Sequence, residues 1–246
     1  MAVYEAGKNN FQKLVRDGIF IQDNNECFYI YELTMDGRSQ NGIVACASVD
    51  DYMEGRIKKH ELTRPDKEAD RKNHVRISMM NAEPVFFAYP ANKALDTIVE
   101  NIKKAKPNYS FVTDDNIKHR FWVADRKDQI ESIISEFEKM PATYVADGHH
   151  RTAAPALVGN HLKKENPNHT GKESYNYFLA VHFPDNQLAI MDYNRVVKDL
   201  NGHTAKAFLE GLANGFIVEE KGKDAYRPSR LHEFSMYLEG EWYALM

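Results

Sequence analysis

The alternation of helical and strand-like segments in the middle of the chain constrains the fold most. Two segments, each ending before a proline, repeat apolar residues at the three- and four-residue spacing of one helix face. They are Leu95, Ile98, Val99 and Ile102, and then Ile130, Ile133, Ile134 and Phe137. Short apolar runs typical of buried strands lie around them, at residues 84–89, 121–123 and 144–146. We therefore predict an α+β (mixed α/β) fold, in which helices flank a mixed sheet and ligands bind at strand ends.

The rest of the chain supplies further predicted elements on both sides of this region. They are a helix over residues 5–17, a hairpin of strands 26–35 and 40–49, a short helix capped by Ser48, a hairpin of strands 175–183 and 188–192, a helix over 204–213, and strands at 216–220 and near the C-terminus. Asp36-Gly37 favours the turn of the first hairpin because both residues tolerate a positive φ. With no internal repeat or long linker, residues 1–246 are expected to form one domain. The abrupt start and the apolar end suggest a portion excised from a longer protein.

Composition excludes several classes of protein. The chain has 36 acidic and 32 basic residues, a net charge of −4, and no basic stripe for nucleic acid. No apolar run approaches the ~20 residues of a membrane span, and no signal peptide is evident. Cys27 and Cys46 each lie in an apolar run, which favours burial over a disulfide. We expect a cytoplasmic protein that binds neither nucleic acid nor membrane; its oligomeric state stays open.

The segment Asp147-Gly148-His149-His150-Arg151 follows a strand-like run and indicates an anion site. Glycine lets the backbone approach a ligand closely, and a following helix would direct its N–H groups and positive dipole end at a phosphate. Arg151 would add a planar guanidinium suited to phosphate. Adjacent side chains point in different directions, so His149 and His150 are not expected to chelate one metal as an i, i+4 helical pair would. The alternative is a surface turn followed by a polar helix start.

Pro155 decides where the helix after this segment is expected to begin. Proline is tolerated only in the first turn of a helix, so Thr152 is the predicted N-cap. The helix would then run from Ala153 to about Lys163. Residues 148–151 would form a free loop at its positive end, with Thr152 beside the bound phosphate.

A second polar segment precedes Pro65. Thr63 is a candidate helix cap, and His60 and Glu61 lie in the approach to the helix, where loops often carry function. Arg64 occupies the place at which a zinc-protease helix motif needs its second histidine, so that class is excluded. The alternative is a solvated, charged helix entry. Arg195 ends a predicted strand farther along, as a ligand-binding candidate or as an ordinary solvated strand end.

Several of these segments occur together in one known family. They are Gly42-Ile43-Val44, Lys59-His60-Glu61-Leu62-Thr63, Asp70-Arg71 and Ala146-Asp147-Gly148-His149-His150-Arg151. With them the chain resembles, over nearly its whole length, the bacterial family catalogued as domain of unknown function 1015.

A second resemblance covers chiefly residues 143–158. The Asp-Gly-His-His-Arg segment is similar to the nucleotide-binding motif of the ParB and sulfiredoxin superfamily, which includes kinases that phosphorylate free serine. This resemblance implies a ParB/sulfiredoxin-like nucleotide-binding core that takes ADP or ATP with Mg²⁺. Two features depart from it: Pro155 interrupts a run usually rich in alanine, and Glu61 lies farther from Asp147 than in the small kinases.

Together these features predict a nucleotide-binding phosphotransferase that acts on a small hydroxylated metabolite, with free serine as the first candidate. Gly148, His149, His150 and Arg151 would hold the phosphates. Glu61 would accept the hydroxyl proton, with His60 or His150 as the next candidate. Asp147 would hold Mg²⁺ or orient the loop, and Thr63, His60 and Arg195 would contact the acceptor. The alternatives are a non-catalytic nucleotide-binding switch and a phosphate-ester hydrolase.

Overall fold

The computed structural model of the protein describes residues 2–246, apart from the side chains of residues 66 and 67. The chain divides into two compact units. The first contains the residues up to Ala189, and the second contains Ile190–Met246.

The first unit contains six α-helices and eight strands in the part of the chain that the structure describes. The helices are α1 (Ala2–Arg16), α2 (Val49–Met53), α3 (Pro65–Ser78), α4 (Lys93–Lys103), α5 (Lys127–Glu138) and α6 (His149–Glu165). The strands are β1 (Phe28–Met35), β2 (Arg38–Ser48), β3 (Ile57–Lys58), β4 (Val85–Tyr89), β5 (Tyr109–Val112), β6 (Lys118–Ala124), β7 (Thr143–Asp147) and β8 (Tyr177–Pro184). The second unit contains α7 (Ala205–Leu212), β9 (Val218–Gly222), β10 (Phe234–Leu238) and β11 (Glu241–Leu245).

All eight strands of the first unit form one mixed sheet in the order β3-β7-β4-β8-β2-β1-β6-β5. The pairs β3–β7 and β4–β8 are parallel, and the other neighbouring strands are antiparallel. In the second unit β11 pairs in antiparallel fashion with both β10 and β9. The predicted mixed α/β architecture is therefore confirmed.

Two apolar clusters attach helices to the same face of the large sheet. Leu95 and Val99 of α4 and Ile133 of α5 pack with Ile30 of β1 and Tyr89 of β4. The other cluster joins α2 and α6 to the sheet through Tyr52, Ala153, Ala156, Val85, Phe87 and Val145. Val85, Phe87 and Tyr89 alternate along β4 and so point to one side, which puts both clusters on one face. Most of the elements predicted from apolar spacing, including α4, α5 and the first hairpin, are confirmed.

A predicted strand and the predicted burial of a cysteine are wrong. Residues 188–192 form no strand, because β8 already lies between β4 and β2 and has no free edge for a hairpin partner. Cys46 is exposed rather than buried, since its side chain alternates with the buried Ala47 along β2. Within residues 2–246, no helix is both long enough and apolar enough to cross a membrane.

Candidate functional site

The site begins where β7 passes directly into α6. Gly148 is the N-cap of α6, and its φ of 87° lies in the left-handed region that favours glycine. The Thr152 N–H donates to the Gly148 carbonyl at 2.8 Å, which is the first hydrogen bond of the helix. The backbone N–H groups of residues 149–151 therefore belong to the free, positive end of a long helix.

The predicted N-cap at Thr152 is wrong, because the N-cap is Gly148 and α6 starts at His149, four residues before the predicted start at Ala153. Thr152 lies inside the first turns, and its hydroxyl donates to the Gly148 carbonyl at 2.9 Å. The side chain is fully buried, which removes it from the residues that could contact a phosphate. Pro155 lies inside the helix, where the buried packing of Ala153, Pro155 and Ala156 offsets the missing hydrogen bond.

Arg151 lies between two carboxylates. Its guanidinium nitrogens are 2.8 Å from Asp147 Oδ2 and 2.9 Å from Glu83 Oε2. These ion pairs tie the first turn of α6 to the end of β7 and to the segment before β4. The guanidinium of Arg151, predicted from the sequence to bind phosphate, is thus paired with two protein carboxylates. The sequence does not predict the role of Glu83, because no local pattern marks this residue.

The parallel pairing of β3 with β7 brings the second polar segment to the same place. Ile57 lies opposite Thr143 and Lys58 opposite Tyr144, so the chain leaves both strands at the same edge of the sheet. There Glu61 Oε2 is 3.6 Å from His149 Nδ1. The His60 and His149 rings meet edge to face, with their centroids 4.3 Å apart. Two segments distant in sequence therefore converge on one imidazole.

His149 is the buried member of this group. Only 7% of the residue is exposed, and Nε2 has no hydrogen-bond partner among the described residues. Burial, followed by the charge that His60 can carry, lowers the pKa of His149 below the ordinary histidine value. The carboxylates of Glu61 and Asp147 act in the opposite direction but are outweighed. Burial therefore favours the neutral form of the ring, in which one nitrogen retains a lone pair.

A cavity of about 420 Å³ opens beside these residues. It is lined by Tyr52, Lys59, His60, Glu61, Leu62, Thr63, Val145 and His149. The Lys59 ammonium lies 4.4 Å from the centroid of the Tyr52 ring, which holds a positive charge at the wall. Neither Lys59 nor Tyr52 is among the site residues predicted from the sequence, although Lys59 adjoins the predicted His60-Glu61 pair. Thr63 does not cap α3: Arg64 occupies the N-cap position, and the Thr63 hydroxyl donates to Glu68 at 2.8 Å.

The remaining predicted site residues lie outside this cavity wall. His150 is half-buried, and its Nδ1 has no partner in the part of the chain that the structure describes. Asp147 is exposed at the end of β7 and pairs with Arg151. Arg195 belongs to the second unit, where its guanidinium lies 3.7 Å from the centroid of the Tyr193 ring. It lines a separate cavity of about 1210 Å³ in that unit.

The fold and the site together define a mixed α/β protein with a polar cavity at the edge where parallel strands end. The model of the family described as "Protein of unknown function (DUF1015)" matches residues 1–246, and the chain belongs to this family. No curated protein and no solved structure matches it significantly. The similarity to the ParB and sulfiredoxin superfamily is not shown by the family match and stays a prediction.

Proposed function

We propose that the protein is a nucleotide-dependent phosphotransferase that acts on a hydroxyl group of a small metabolite, with free serine as the first acceptor to test. The observation that supports it is the 3.6 Å separation between Glu61 Oε2 and His149 Nδ1. It places a candidate base beside the N-terminus of a long helix, where anions are stabilised.

Each residue has a separate role in this proposal. The free N–H groups at the start of α6 and the Lys59 ammonium stabilise the phosphate charge that develops during transfer. Glu61 accepts the proton of the attacking hydroxyl, and its side chain is 65% exposed, so an acceptor can reach it. His60 and Thr63 line the cavity and orient the acceptor. Arg151 acts indirectly, because its two ion pairs position the helix start.

Magnesium with ATP or ADP fits part of this site. Asp147 offers a carboxylate, the ligand type that Mg²⁺ prefers, with 70% of its side chain exposed at the strand end. The nucleotide would supply the phosphoryl group, and the metal would neutralise its charge. This function agrees with the cytoplasmic location expected from the sequence, where ATP is abundant.

The test is a product assay with a matched pair of variants. Protein, ATP, Mg²⁺ and a panel of hydroxylated amino acids are incubated, and phosphorylated product is measured by mass spectrometry. Glu61→Gln should lower kcat by about 10²–10⁴-fold and leave nucleotide affinity unchanged. Glu131→Gln, an exposed glutamate on α5, is the control and should behave as the wild type.

The outcomes separate this function from its alternatives. Lys59→Met should weaken nucleotide binding, because a charge-assisted contact contributes about 1.5–3 kcal/mol. Nucleotide binding with no product across the panel would indicate the non-catalytic switch. Release of inorganic phosphate from a phosphate ester without transfer would indicate the hydrolase. Absence of nucleotide binding would overturn the proposal.

A further inference from the structure

Three side chains in the site have the composition and the spacing of a metal-ion site. One nitrogen each of His60 and His149 and one carboxylate oxygen of Glu61 all lie within 4.8 Å of one another. Glu61 Oε2 and His149 Nδ1 are 3.6 Å apart. A tetrahedral ion with bonds of about 2.0–2.1 Å holds its ligand atoms roughly 3.4 Å apart, so small movements of two exposed loop residues would complete the geometry.

The state of the His149 ring is an independent observation that points to a ligand. Its side chain is only 6% exposed, and its Nδ1 is beyond hydrogen-bond distance of Glu61. Its Nε2 is buried and has no hydrogen-bond partner among the described residues. A buried polar group left unpaired costs about 1–3 kcal/mol, so a ligand that supplies a partner to this imidazole would remove that cost.

Other histidines of the same unit show what a structural imidazole looks like here. His182 donates from Nδ1 to the Ile43 carbonyl at 3.4 Å. His169 contacts the Tyr175 hydroxyl at 3.0 Å through Nδ1. His119 and Tyr31 are joined by a hydrogen bond of 2.7 Å. His149 differs from all three, because it has no such hydrogen bond, and its ring lies beside Glu61 and His60 of another segment.

We propose that His60, Glu61 and His149 bind a divalent transition-metal ion of the zinc class. Two imidazoles and one carboxylate suit Zn²⁺ and its first-row neighbours, whereas Mg²⁺ prefers an all-oxygen site. Three protein ligands leave a fourth position toward the cavity for water or substrate. The adjacent pair His149 and His150 does not chelate the ion; the second imidazole comes from His60, on another segment.

This inference goes beyond the proposed function, because it concerns an ion bound in the absence of any nucleotide. It also gives Glu61 a second assignment, as a metal ligand. The two are separable, since metal binding is measured without nucleotide and phosphoryl transfer is measured in chelated protein supplied with Mg²⁺. Failure of one measurement therefore leaves the other interpretable.

The experiment is a metal titration of the full chain after chelation and removal of the chelator. Calorimetry and elemental analysis should find one Zn²⁺ per chain and an affinity for Zn²⁺ at least about 100-fold higher than for Mg²⁺. His60→Ala and Glu61→Gln change exposed side chains and should each weaken Zn²⁺ binding by at least about 100-fold, because even the loss of an outer hydrogen bond to a metal ligand costs about 10–100-fold.

The matched control is His161→Ala, which removes an exposed histidine that lies on α6 beside Glu165. It should leave both the affinity and the stoichiometry unchanged. His149→Phe, checked for cooperative unfolding, should abolish binding. Three results would overturn the site: no bound Zn²⁺, Zn²⁺ affinity unchanged in His60→Ala and Glu61→Gln, or Mg²⁺ bound as tightly as Zn²⁺.

Discussion

Glu32 and His149 are both buried polar residues of the first unit, but their surroundings differ. Glu32 is 1% exposed and lies between two cations: Lys103 Nζ is 3.0 Å from Oε2, and Arg120 Nε donates to Oε1 at 2.6 Å. Burial raises the pKa of Glu32, but these two partners outweigh it and hold the pKa below the ordinary value. His149 is buried to a similar degree, and its Nε2 has no partner among the described residues.

This difference in surroundings indicates a structural role for Glu32 and a functional role for His149. The buried carboxylate of Glu32 is paired with Lys103 of α4 and Arg120 of β6, so we expect it to stabilise the fold. The buried imidazole of His149, whose Nε2 has no partner among the described residues, fits the ligand site proposed above, because a bound ligand could supply a partner. Mutation of the two residues should therefore affect different measurements.

The largest effect is expected at Glu32. Glu32→Gln leaves the charges of Lys103 and Arg120 without their buried partner, and the loss of one member of such a group costs about 3–5 kcal/mol. Denaturant unfolding measures this change. Glu131→Gln removes an exposed pair with Lys127 and should cost less than about 1 kcal/mol. Equal effects of the two substitutions would refute a structural role for the buried group.

His182 extends the comparison to a buried histidine that has a partner. Burial lowers the pKa of His182 to about 4, although the hydrogen bond to the Ile43 carbonyl acts in the opposite direction. In the unfolded chain the pKa of this histidine is near 6.5. Between pH 6.5 and pH 4 the unfolded state therefore binds more protons than the native state. The contribution of His182 to stability is full above about pH 6.5 and is lost as the pH falls toward 4. The loss amounts to about 3 kcal/mol.

The measurement for His182 is the free energy of unfolding against pH, for the wild type and for His182→Leu. The difference between the two curves isolates this group from the other titrating residues. The wild-type curve should fall more steeply between pH 6.5 and 4. Parallel curves would show that His182 does not titrate as a buried residue.

A smaller effect is expected at Gly148, which shapes the helix start without contributing a side chain. Gly148→Ala places a non-glycine residue at positive φ, which costs about 1–2 kcal/mol. The new Cβ would also lie 3.1 Å from Arg151 Nε. Thermal unfolding should show the loss, and ligand affinity should fall with it. An unchanged melting temperature would contradict the left-handed conformation.

Local patterns predicted most of the fold. The apolar spacing of Leu95, Val99 and Ile102 gives α4, and the Asp36-Gly37 turn, with both φ values positive, joins β1 to β2. The pairing of strands distant in sequence determines the features that local patterns do not predict. The strand expected at 188–192 has adequate composition, but no edge of β8 is free to receive it.

The two polar segments of the site can be predicted from the sequence, but their approach in space cannot. Both polar segments stand out in the sequence, yet their meeting depends on β3, a strand of two residues that is too short for a recognisable pattern. The start of α6 does not follow from the position of Pro155, because tertiary packing allows this proline inside the helix rather than in its first turn. The ion pair of Arg151 with Glu83 joins residues remote in sequence, so no local sequence pattern predicts it.

The smallest effect on stability is expected at His149 itself. His149→Phe keeps an aromatic ring and removes the buried Nε2 that has no partner among the described residues. The free energy of unfolding should therefore stay within about 1 kcal/mol of the wild type, or rise. A loss as large as that expected for Glu32→Gln would mean that His149 is a structural residue.

The most direct test of the ligand site compares the free energies of unfolding of the wild type and His149→Phe, each with and without Zn²⁺. At one hundred times its dissociation constant, a ligand that binds only the native state adds about 2.7 kcal/mol. We expect this gain for the wild type, none for His149→Phe, and nearly equal stabilities without the ion. A variant that is several kcal/mol less stable, with the same response to Zn²⁺ as the wild type, would contradict this expectation.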